Sequence, residues 1–377
     1  MKCKPLKDVA QIIMGQSPDS SSYNEVGEGL PFFQGNADFG VMYPSERIWC
    51  NQPKKIANEN DILISVRAPI GALNYANKKC CIGRGLAAIT VNNPVERNYI
   101  FHLLKAKNAE LNRKGTGSTF KAIGKNVLED IPVPIVSSEI QLHITRLMDI
   151  TESIISKRKN ELKYYDELIK ARFVEMFGDP VNNSKGWNNQ VLKSVCIKIT
   201  DGEHGSVERV KEGHPFLNAK HIKSTGDIDW ANVTYTPDEV HERIYKRCNP
   251  ESGDVMMTTT GTIGNVAVVP CGREPFTMDR GITLLKLDST KVQPLYIAWL
   301  LRHQSIQAIM NSKIHASAIG HLFLNKVEKI PVIVPDMESQ NAFSNFVAQI
   351  DKSKVAVQKS LNQAQLLFDS LMQQYFG

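Results

Sequence analysis

The amino-acid sequence predicts two tandem domains of mixed α and β structure, each followed by one long helix. Three observations lead to this prediction. The chain of 377 residues contains two diverged copies of one unit. The first part of each copy has short apolar runs between turn residues. The second part has a helical spacing of apolar residues, with no proline over 142–177 or 341–376.

The internal repeat consists of short matches that occur in the same order in both copies. The matching pairs are residues 6–9 with 192–195, 31–32 with 215–216, 69–71 with 262–264, 84–85 with 280–281, 131–133 with 330–332, and 177–178 with 376–377. The difference in residue number between matching pairs varies before the Ile-Pro-Val element at 131–133 and is constant from that element onward. Insertions are therefore confined to the first part of copy two, whereas the second part keeps its length.

The repeat defines the predicted domain organisation. The expected segments are a first domain over 1–138, a helix over 139–178, a linker over 179–189, a second domain over 190–336 and a C-terminal helix over 337–377. Within the domains, β-branched and apolar runs predict strands at 61–66, 86–91, 254–258 and 282–287, and helices at 99–111 and 295–310. Adjacent Cys80 and Cys81 are expected in a strand, on opposite faces.

The second part of each copy has the heptad spacing of a coiled coil. The seam positions are Phe343, Val347, Ile350, Lys354, Val357, Leu361, Ala364, Phe368 and Leu371, with counterparts Ile144, Met148, Thr151, Ile155, Arg158, Leu162, Tyr165, Ile169 and Arg172. We expect the helices to pair antiparallel, with pseudo-twofold symmetry and one domain at each end. The alternative is that each helix packs only on its own domain.

Composition narrows the class of protein. Seven cysteines without a C-x-x-C pair indicate reduced thiols, and no stretch approaches the length of a membrane span, so we expect a cytoplasmic protein without membrane contact. The net charge of +6 permits nucleic-acid binding without requiring it.

Motifs for catalysis are missing from the sequence. There is no P-loop, no dinucleotide fingerprint, no G-x-S-x-G and no Asn-Pro-Pro-aromatic tetrapeptide. His204, His214 and His221 lie close in sequence but lack cysteine partners at ligand spacing, which favours loop residues over a metal site. The sequence therefore predicts neither a catalytic centre nor a metal centre.

Several polar positions suit contact with nucleic acid. In the first copy, Lys121 and Lys125 follow a Gly-rich loop with Thr116, Ser118 and Thr119, whose N–H groups and hydroxyls suit phosphate oxygens. The alternative is a solvated helix face with a flexible loop. The second copy is less basic here, with His315 and Ser317.

Other candidates lie at turns that occur in both copies, where amides can pair with adenine and cations with guanine or phosphate. They are Gln34, Asn36, Ser65, Arg67 and Arg84 in the first copy, and Asn218, Lys220, His221, Thr259, Thr260, Thr262 and Arg280 in the second. An ordinary hairpin is the alternative for the strand-turn residues. For Arg84 and Arg280 it is a buried salt bridge.

The order of these motifs resembles the specificity (S) subunits of type I restriction-modification enzymes, over essentially the whole chain. The resemblance rests on the openings at 6–9 and 192–195, the turns ending at 71 and 264, and the Ile-Pro-Val elements that lead into long helices. It implies a non-catalytic subunit with two target recognition domains and a coiled-coil spacer. The implied partners are double-stranded DNA, two modification (methyltransferase) subunits and restriction subunits. S-adenosylmethionine and ATP would bind those partner subunits, and this chain would hold no cofactor.

The resulting hypothesis is a subunit that reads a bipartite, asymmetric DNA site with a fixed gap. Two alternatives stay open: a stand-alone or partial DNA-modifying enzyme, and a coiled-coil interaction scaffold that does not bind DNA. Polar residues in the first helix, Thr151, Arg158 and Arg172, also leave open whether that helix lends part of its face to another subunit.

Overall fold

The structure is a computed structural model that describes residues 2–117, 121–314 and 320–377. It divides into two compact units. Unit 1 contains Met1–Lys159 and Lys359–Gly377, and unit 2 contains Asn160–Gln358. The units do not coincide with the sequence repeats, because each of the two long helices contributes one segment to each unit.

Unit 1 has a mixed α/β globular part. Its elements are β1 (Cys3–Pro5), β2 (Gln11–Met14), β3 (Tyr23–Asn24), β4 (Leu30–Phe33), β5 (Trp49–Cys50), β6 (Ile56–Ala57), β7 (Ile62–Ser65), β8 (Leu73–Tyr75), β9 (Cys80–Ile82), β10 (Leu86–Thr90), α1 (Pro94–Ala106), α2 (Asn108–Lys114), α3 (Lys125–Glu129), β11 (Pro132–Pro134) and part of α4 (Ser138–Phe177). An antiparallel sheet has the order β2-β10-β7-β8, and a second sheet, β3-β5-β4-β9-β6, has β4 and β9 parallel.

The core of unit 1 lies on both faces of strand β9. Cys80 packs in a cluster with Phe33 and Leu63, and Cys81 packs in another with Phe32. The expected opposite orientation of the two thiols is therefore confirmed. Helix α1 begins after Asn93, whose side-chain oxygen accepts hydrogen bonds from the first free N–H groups.

Unit 2 has the same kind of globular part. Its elements are β12 (Asn188–Val191), β13 (Cys196–Asp201), β14 (His214–Leu217), β15 (Thr234–Thr236), α5 (Asp238–Tyr245), β16 (Val255–Thr258), β17 (Val266–Val268), β18 (Thr277–Met278), β19 (Ile282–Leu287), α6 (Pro294–Arg302), α7 (Gln304–Ser312), α8 (Leu324–Val327), β20 (Pro331–Val334) and part of α9 (Met337–Phe376). The sheet order β13-β19-β16-β17 corresponds to β2-β10-β7-β8, and β14 and β18 are parallel like β4 and β9. The sequence repeat is therefore a repeat of topology.

The two long helices have equal length. Helices α4 and α9 each contain 40 residues, about 60 Å at 1.5 Å per residue, and each begins and ends within one residue of its prediction. Every seam position is buried or half-buried. In unit 2, Asp166 contacts Lys354 at 2.5 Å, and the Phe173 and Phe343 rings are 5.5 Å apart. Along these contacts the residue numbers increase in α4 and decrease in α9, so the two segments run antiparallel.

The helix ends also pack on the globular parts. In unit 2, Phe177 of α4 contacts Tyr296 of α6, with ring centroids 4.9 Å apart. In unit 1, Phe376 of α9 contacts Tyr99 of α1 at 5.2 Å. The phenylalanine at the end of α9 thus packs on α1, and the phenylalanine at the end of α4 packs on α6. The long helices therefore pair with each other and also pack on the globular parts, so the two arrangements expected as alternatives occur together.

One prediction about secondary structure is wrong in both copies. The single helices expected at 99–111 and 295–310 are each two helices, interrupted at Lys107 and at His303. In the second case the His303 backbone is extended, and its ring Nδ1 accepts a hydrogen bond from the Ser305 N–H. Side-chain capping starts a new helix there.

Candidate nucleic-acid interface

Loops that are far apart in the sequence meet at one edge of unit 1. The Gly85 N–H donates to the Gln34 carbonyl at 3.1 Å, and the Val66 N–H donates to the Gly85 carbonyl at 2.9 Å. The Ala68 N–H donates to the Lys121 carbonyl at 3.0 Å. We call residues 34–38, 66–70, 83–85, 115–117 and 121–123 the unit 1 loop edge.

The Arg-Gly pair at 84–85 has a steric explanation. A Cβ on Gly85 would lie 2.3 Å from the Gln34 carbonyl oxygen, so no larger residue fits between these loops. The preceding residue, Arg84, is exposed. Close approach of two backbones therefore places this arginine beside Gln34.

Most of the predicted side chains of the first copy lie on the unit 1 loop edge. Gln34, Arg67, Arg84, Thr116 and Lys121 are exposed, and Asn36 is half-exposed. Within the part of the chain that the structure describes, no carboxylate oxygen lies within 4 Å of Arg67, Arg84 or Lys121. The unit 1 loop edge thus presents three cations that form no salt bridge with a carboxylate of the described residues.

Three further candidates of the first copy differ from this pattern. Lys125 is exposed but pairs with Glu129 at 3.0 Å, so its charge is partly neutralised. Ser118 and Thr119 lie outside the described residues.

The Ser65 hydroxyl belongs to the fold. Ser65 is 1% exposed, and its Oγ donates to the Pro69 carbonyl at 2.7 Å and accepts from the Ala72 N–H at 2.9 Å. The expected DNA contact is therefore corrected to a role in holding the turn. The exposed group of that turn is Arg67.

An equivalent edge exists in unit 2. The Thr259 N–H donates to the Gly281 carbonyl at 2.8 Å, the Leu322 N–H donates to the Thr259 carbonyl at 2.9 Å, and the Asp279 N–H donates to the Leu217 carbonyl at 3.0 Å. We call residues 201–204, 218–221, 259–263, 279–281 and 320–322 the unit 2 loop edge. Four of its five segments correspond to segments of the unit 1 loop edge, and 201–204 is additional.

The predicted side chains of the second copy divide into exposed and engaged groups. Lys220, Thr262 and Arg280 are exposed. The Asn218 Nδ2 donates to Asp279 at 2.6 Å, and the Thr260 Oγ1 lies 2.7 Å from the His321 Nδ1. The candidates His315 and Ser317 lie outside the described residues.

Arg280 and Arg84 are alike. Each is exposed, and the salt bridge considered as an alternative does not occur with any described carboxylate. Both arginines therefore stay available for contact with a ligand.

Two candidates of the second copy are internal. Thr259 is 1% exposed, and its Oγ1 donates to the Gly281 carbonyl at 3.4 Å. His221 is also 1% exposed, its Nδ1 accepts from the Asn218 N–H at 2.8 Å, and its Nε2 lies 3.0 Å from the Asn232 carbonyl. Burial lowers the pKa of His221. Both side chains position the loop, which corrects the expectation of a direct contact.

Sequence reasoning missed a charged network in unit 2. Arg243 lies 3.1 Å from Glu203, and Asp201 contacts both Arg247 at 3.3 Å and His204 at 2.7 Å. Partial burial pushes the pKa of Glu203 upward, but a hydrogen bond from the Gly205 N–H and the Arg243 charge hold it below its ordinary value. The two arginines lie 40 and 46 residues from their acidic partners in the sequence, and no local spacing signals such contacts.

The two loop edges therefore have equivalent backbone hydrogen bonds between their loops but different side chains. We call this common arrangement the backbone plan. Unit 1 presents Arg67, Arg84 and Lys121, whereas unit 2 presents Lys220 and Arg280 beside the charged network. Among the described residues, no group of three histidine, cysteine or acidic side chains is placed to hold a metal ion, and no helix is long and apolar enough to cross a membrane.

The fold and edges define a class: a duplicated recognition protein whose two units present different surfaces from the same loops.

Comparison with known proteins identifies the family. The model of the type I restriction modification DNA specificity domain matches the chain twice, over residues 1–164 and 203–365. The chain belongs to this family.

Individual relatives agree with this assignment. A putative type I restriction enzyme MjaX specificity subunit of Methanocaldococcus jannaschii is 43% identical over 161 residues, which are 42% of this chain and 38% of that protein. The MjaIX specificity subunit of the same organism is 21% identical over 398 aligned positions, 98% of this chain and 91% of that protein. The chain thus matches well under half of the first relative and nearly all of the second.

A solved structure shows the same fold over the full length. The crystal structure of a type I restriction-modification system S subunit from M. genitalium has a TM-score of 0.60 and 16% sequence identity. It covers 100% of this chain and 96% of that one.

Proposed function

We propose that this chain is the DNA sequence-specificity subunit of a type I restriction-modification complex and reads a bipartite, asymmetric site. The observation that carries the proposal is the pair of loop edges, one in each unit, with the same backbone plan and different side chains. One plan with two sets of contacting groups suits the reading of two different half-sites.

The groups of the unit 1 loop edge fall into two roles. Arg67, Arg84 and Lys121 would contact phosphates, because exposed cations without carboxylate partners gain most from neutralising the DNA backbone. Gln34 and Asn36 would read base edges, since a carboxamide can pair bidentately with adenine. Thr116 would add a hydroxyl contact to phosphate.

In unit 2 the roles are assigned to fewer groups. Lys220 and Arg280 would contact phosphate or guanine, and Thr262 would offer a hydroxyl at the same edge. With two such cations against three in unit 1, the two half-sites would contribute unequally to the salt dependence of binding.

The long helices suit the role of a spacer. They have equal length, and the distance from the Ile-Pro-Val element to the Phe-Gly terminus is the same in both copies. A segment that sets a geometry keeps its length, whereas loops tolerate insertion. We infer that these helices fix the gap between the half-sites.

The chain would act without catalytic groups of its own. Its partners would be double-stranded DNA, two modification subunits that bind S-adenosylmethionine, and restriction subunits that bind ATP. The seven cysteines, which include no C-x-x-C pair, suit a reducing cytoplasm, where such a complex would meet DNA.

Footprinting of the complex with the modification subunit tests this proposal. We expect two short protected sequences separated by an indifferent gap. One uninterrupted protected site would contradict it. Methyl transfer by the isolated chain would instead support a DNA-modifying enzyme. The absence of any salt-dependent affinity for DNA would support a coiled-coil scaffold.

A further inference from the structure

The charged network of unit 2 lies directly beside Arg280 of the unit 2 loop edge. The Glu203 N–H donates to the Met278 carbonyl at 2.9 Å, and the Arg280 N–H donates to the Glu203 carbonyl at 3.0 Å. A Cβ on Gly202 would lie 2.1 Å from the Met278 carbonyl oxygen, so the two backbones approach too closely for a larger residue. These backbone contacts fix Glu203 next to an exposed cation of the edge.

The arginines of the network lie on or directly after helix α5, in a segment that is longer in copy two. The stretch between the matches at 215–216 and 262–264 is nine residues longer than the stretch between 31–32 and 69–71. Every residue between β4 and β7 of unit 1 is described, and none of them forms an α-helix. Helix α5 therefore belongs to copy two alone.

The acids that contact these arginines also distinguish the two copies. The Gln16 N–H donates to the Ile82 carbonyl at 3.0 Å, which is the counterpart of the bond made by the Glu203 N–H. Gln16 thus occupies the position of Glu203, and two residues earlier Met14 occupies the position of Asp201. The helix and the acids that hold it therefore occur together in copy two.

Helix α5 is held firmly from two sides. The ring of His241, which is 6% exposed, stacks on the ring of His214 with centroids 3.8 Å apart. On the other side, the Arg247 Nη1 donates to the Asp201 carboxylate at 3.3 Å, and its Nη2 donates to the Gly202 carbonyl. A side chain on such a fixed helix is positioned more accurately than one on a loop.

Arg243 is held differently from Arg247. Its Nη1 donates to the Glu203 carboxylate at 3.1 Å, while its side chain is 58% exposed and that of Glu203 is 16% exposed. An ion pair with one partner so exposed adds little to stability. Its main physical effect is to fix the direction of the Arg243 guanidinium, which faces solvent at the edge that carries Arg280.

A guanidinium held in this way suits the recognition of guanine. It has five N–H donors, and the bond to Glu203 engages only one of its nitrogen atoms. Two parallel N–H groups of arginine match the O6 and N7 acceptors of guanine in the major groove. Because the carboxylate already restricts the side chain, less conformational entropy is lost when the base is bound.

We propose that Arg243 reads one guanine in the half-site of unit 2 and that Glu203 is its positioning residue. This assignment rests on the proposed function and names one base of the site. It also gives the extra segment of copy two a role, because helix α5 adds a contact that unit 1 does not make.

Selection from random DNA tests the assignment. The complex of this chain with the modification subunit is mixed with duplexes of random sequence, and the bound duplexes are sequenced. For the wild type we expect guanine at one position of one half-site. Arg243→Ala should lower the preference for guanine there roughly tenfold to a hundredfold and leave the other positions unchanged.

Two conservative variants separate base reading from folding. Arg243→Lys keeps the charge beside Glu203 but lacks the planar pair of donors, so it should lose most of the guanine preference while the chain stays folded. Glu203→Gln should weaken the preference at the same position, because the arginine remains but its direction is less restricted.

Control variants alter the same helix without removing the reading group. Lys246→Ala removes an exposed positive charge at the end of α5 and should leave every base preference intact. Arg247→Ala removes the contact that anchors the helix, so it should lower the melting temperature and weaken the whole half-site rather than one base.

The outcomes distinguish this inference from the proposed function. Unchanged guanine preference in Arg243→Ala, or equal loss at every position of the half-site in Arg243→Lys, would overturn the assignment. A uniform loss of affinity with a salt slope lower by about 0.9 would overturn it too, because that result describes a phosphate contact. All three results leave a bipartite wild-type motif in place, whereas an uninterrupted motif, or none, would contradict the proposed function itself.

Discussion

Removal of the cations Arg67, Arg84 and Lys121 from the unit 1 loop edge should change the salt dependence of DNA binding. The triple variant Arg67→Ala, Arg84→Ala and Lys121→Ala leaves the backbone contacts of the edge in place, because the loops are joined by N–H and carbonyl groups. Each phosphate contact contributes about 0.9 to the slope of log K against log salt. If all three side chains contact phosphate, the slope should fall in magnitude by about 2.7.

This change has a measurable size. A slope difference of about 2.7 means that the ratio of wild-type affinity to variant affinity falls about 40-fold when the salt concentration rises from roughly 50 to 200 mM. Fluorescence anisotropy with the complex of this chain and the modification subunit measures it. The effect should be similar for any DNA sequence, because phosphates carry no sequence information.

The control uses cations that already have carboxylate partners. Lys7 lies 3.4 Å from Asp130, and Lys78 lies 2.8 Å from Glu46. Their double alanine variant should change the slope by less than about 0.5. A triple-variant change no larger than that of the control, or one restricted to a single DNA sequence, would refute the assignment of the three cations to phosphate.

Three further predictions concern base reading, packing and pH. Gln34→Ala should relax the sequence requirement in one half-site only, as seen in the methylated motif; relaxation of both would contradict it. Phe343→Ala, at a fully buried aromatic contact, should lower the free energy of unfolding of unit 2 by about 3–5 kcal/mol in urea followed by tryptophan fluorescence, whereas the exposed Val355→Ala should change it by less than about 0.5 kcal/mol. Burial lowers the pKa of His221 and His241 below the ordinary value of 6.5, so the unfolded chain takes up protons first as pH falls. Stability of unit 2 should therefore be full above about pH 6.5 and fall below it, and equal melting temperatures at pH 7.5 and 5.5 would contradict this.

The long helices were the most predictable part of the fold. Their ends follow from a constant offset between the copies and from the Phe-Gly terminus, and the seam positions follow from heptad spacing. These signals can be read from the sequence without knowledge of which distant residues are in contact. The particular contacts at the helix ends, such as Tyr99 with Phe376, were not predictable, because these residues are distant in the chain.

The candidate interface was predictable in position but not in detail. Turn motifs common to the copies locate the loops that form the edges. Whether a hydroxyl at such a turn faces solvent depends on its neighbours: Ser65 and Thr259 bond inward, while Arg67 and Thr262 are exposed. The charged network of unit 2 was missed for the same reason, since its acids and bases meet only in the folded chain.

The central claim is that one chain reads two different half-sites at a fixed separation. Sequencing of methylated bases in host DNA, with and without the gene for this chain, tests it most directly. We predict one motif of two short, different parts separated by an indifferent gap of constant length, which disappears when the gene is deleted. An uninterrupted motif, or a methylation pattern unchanged by the deletion, would contradict the claim.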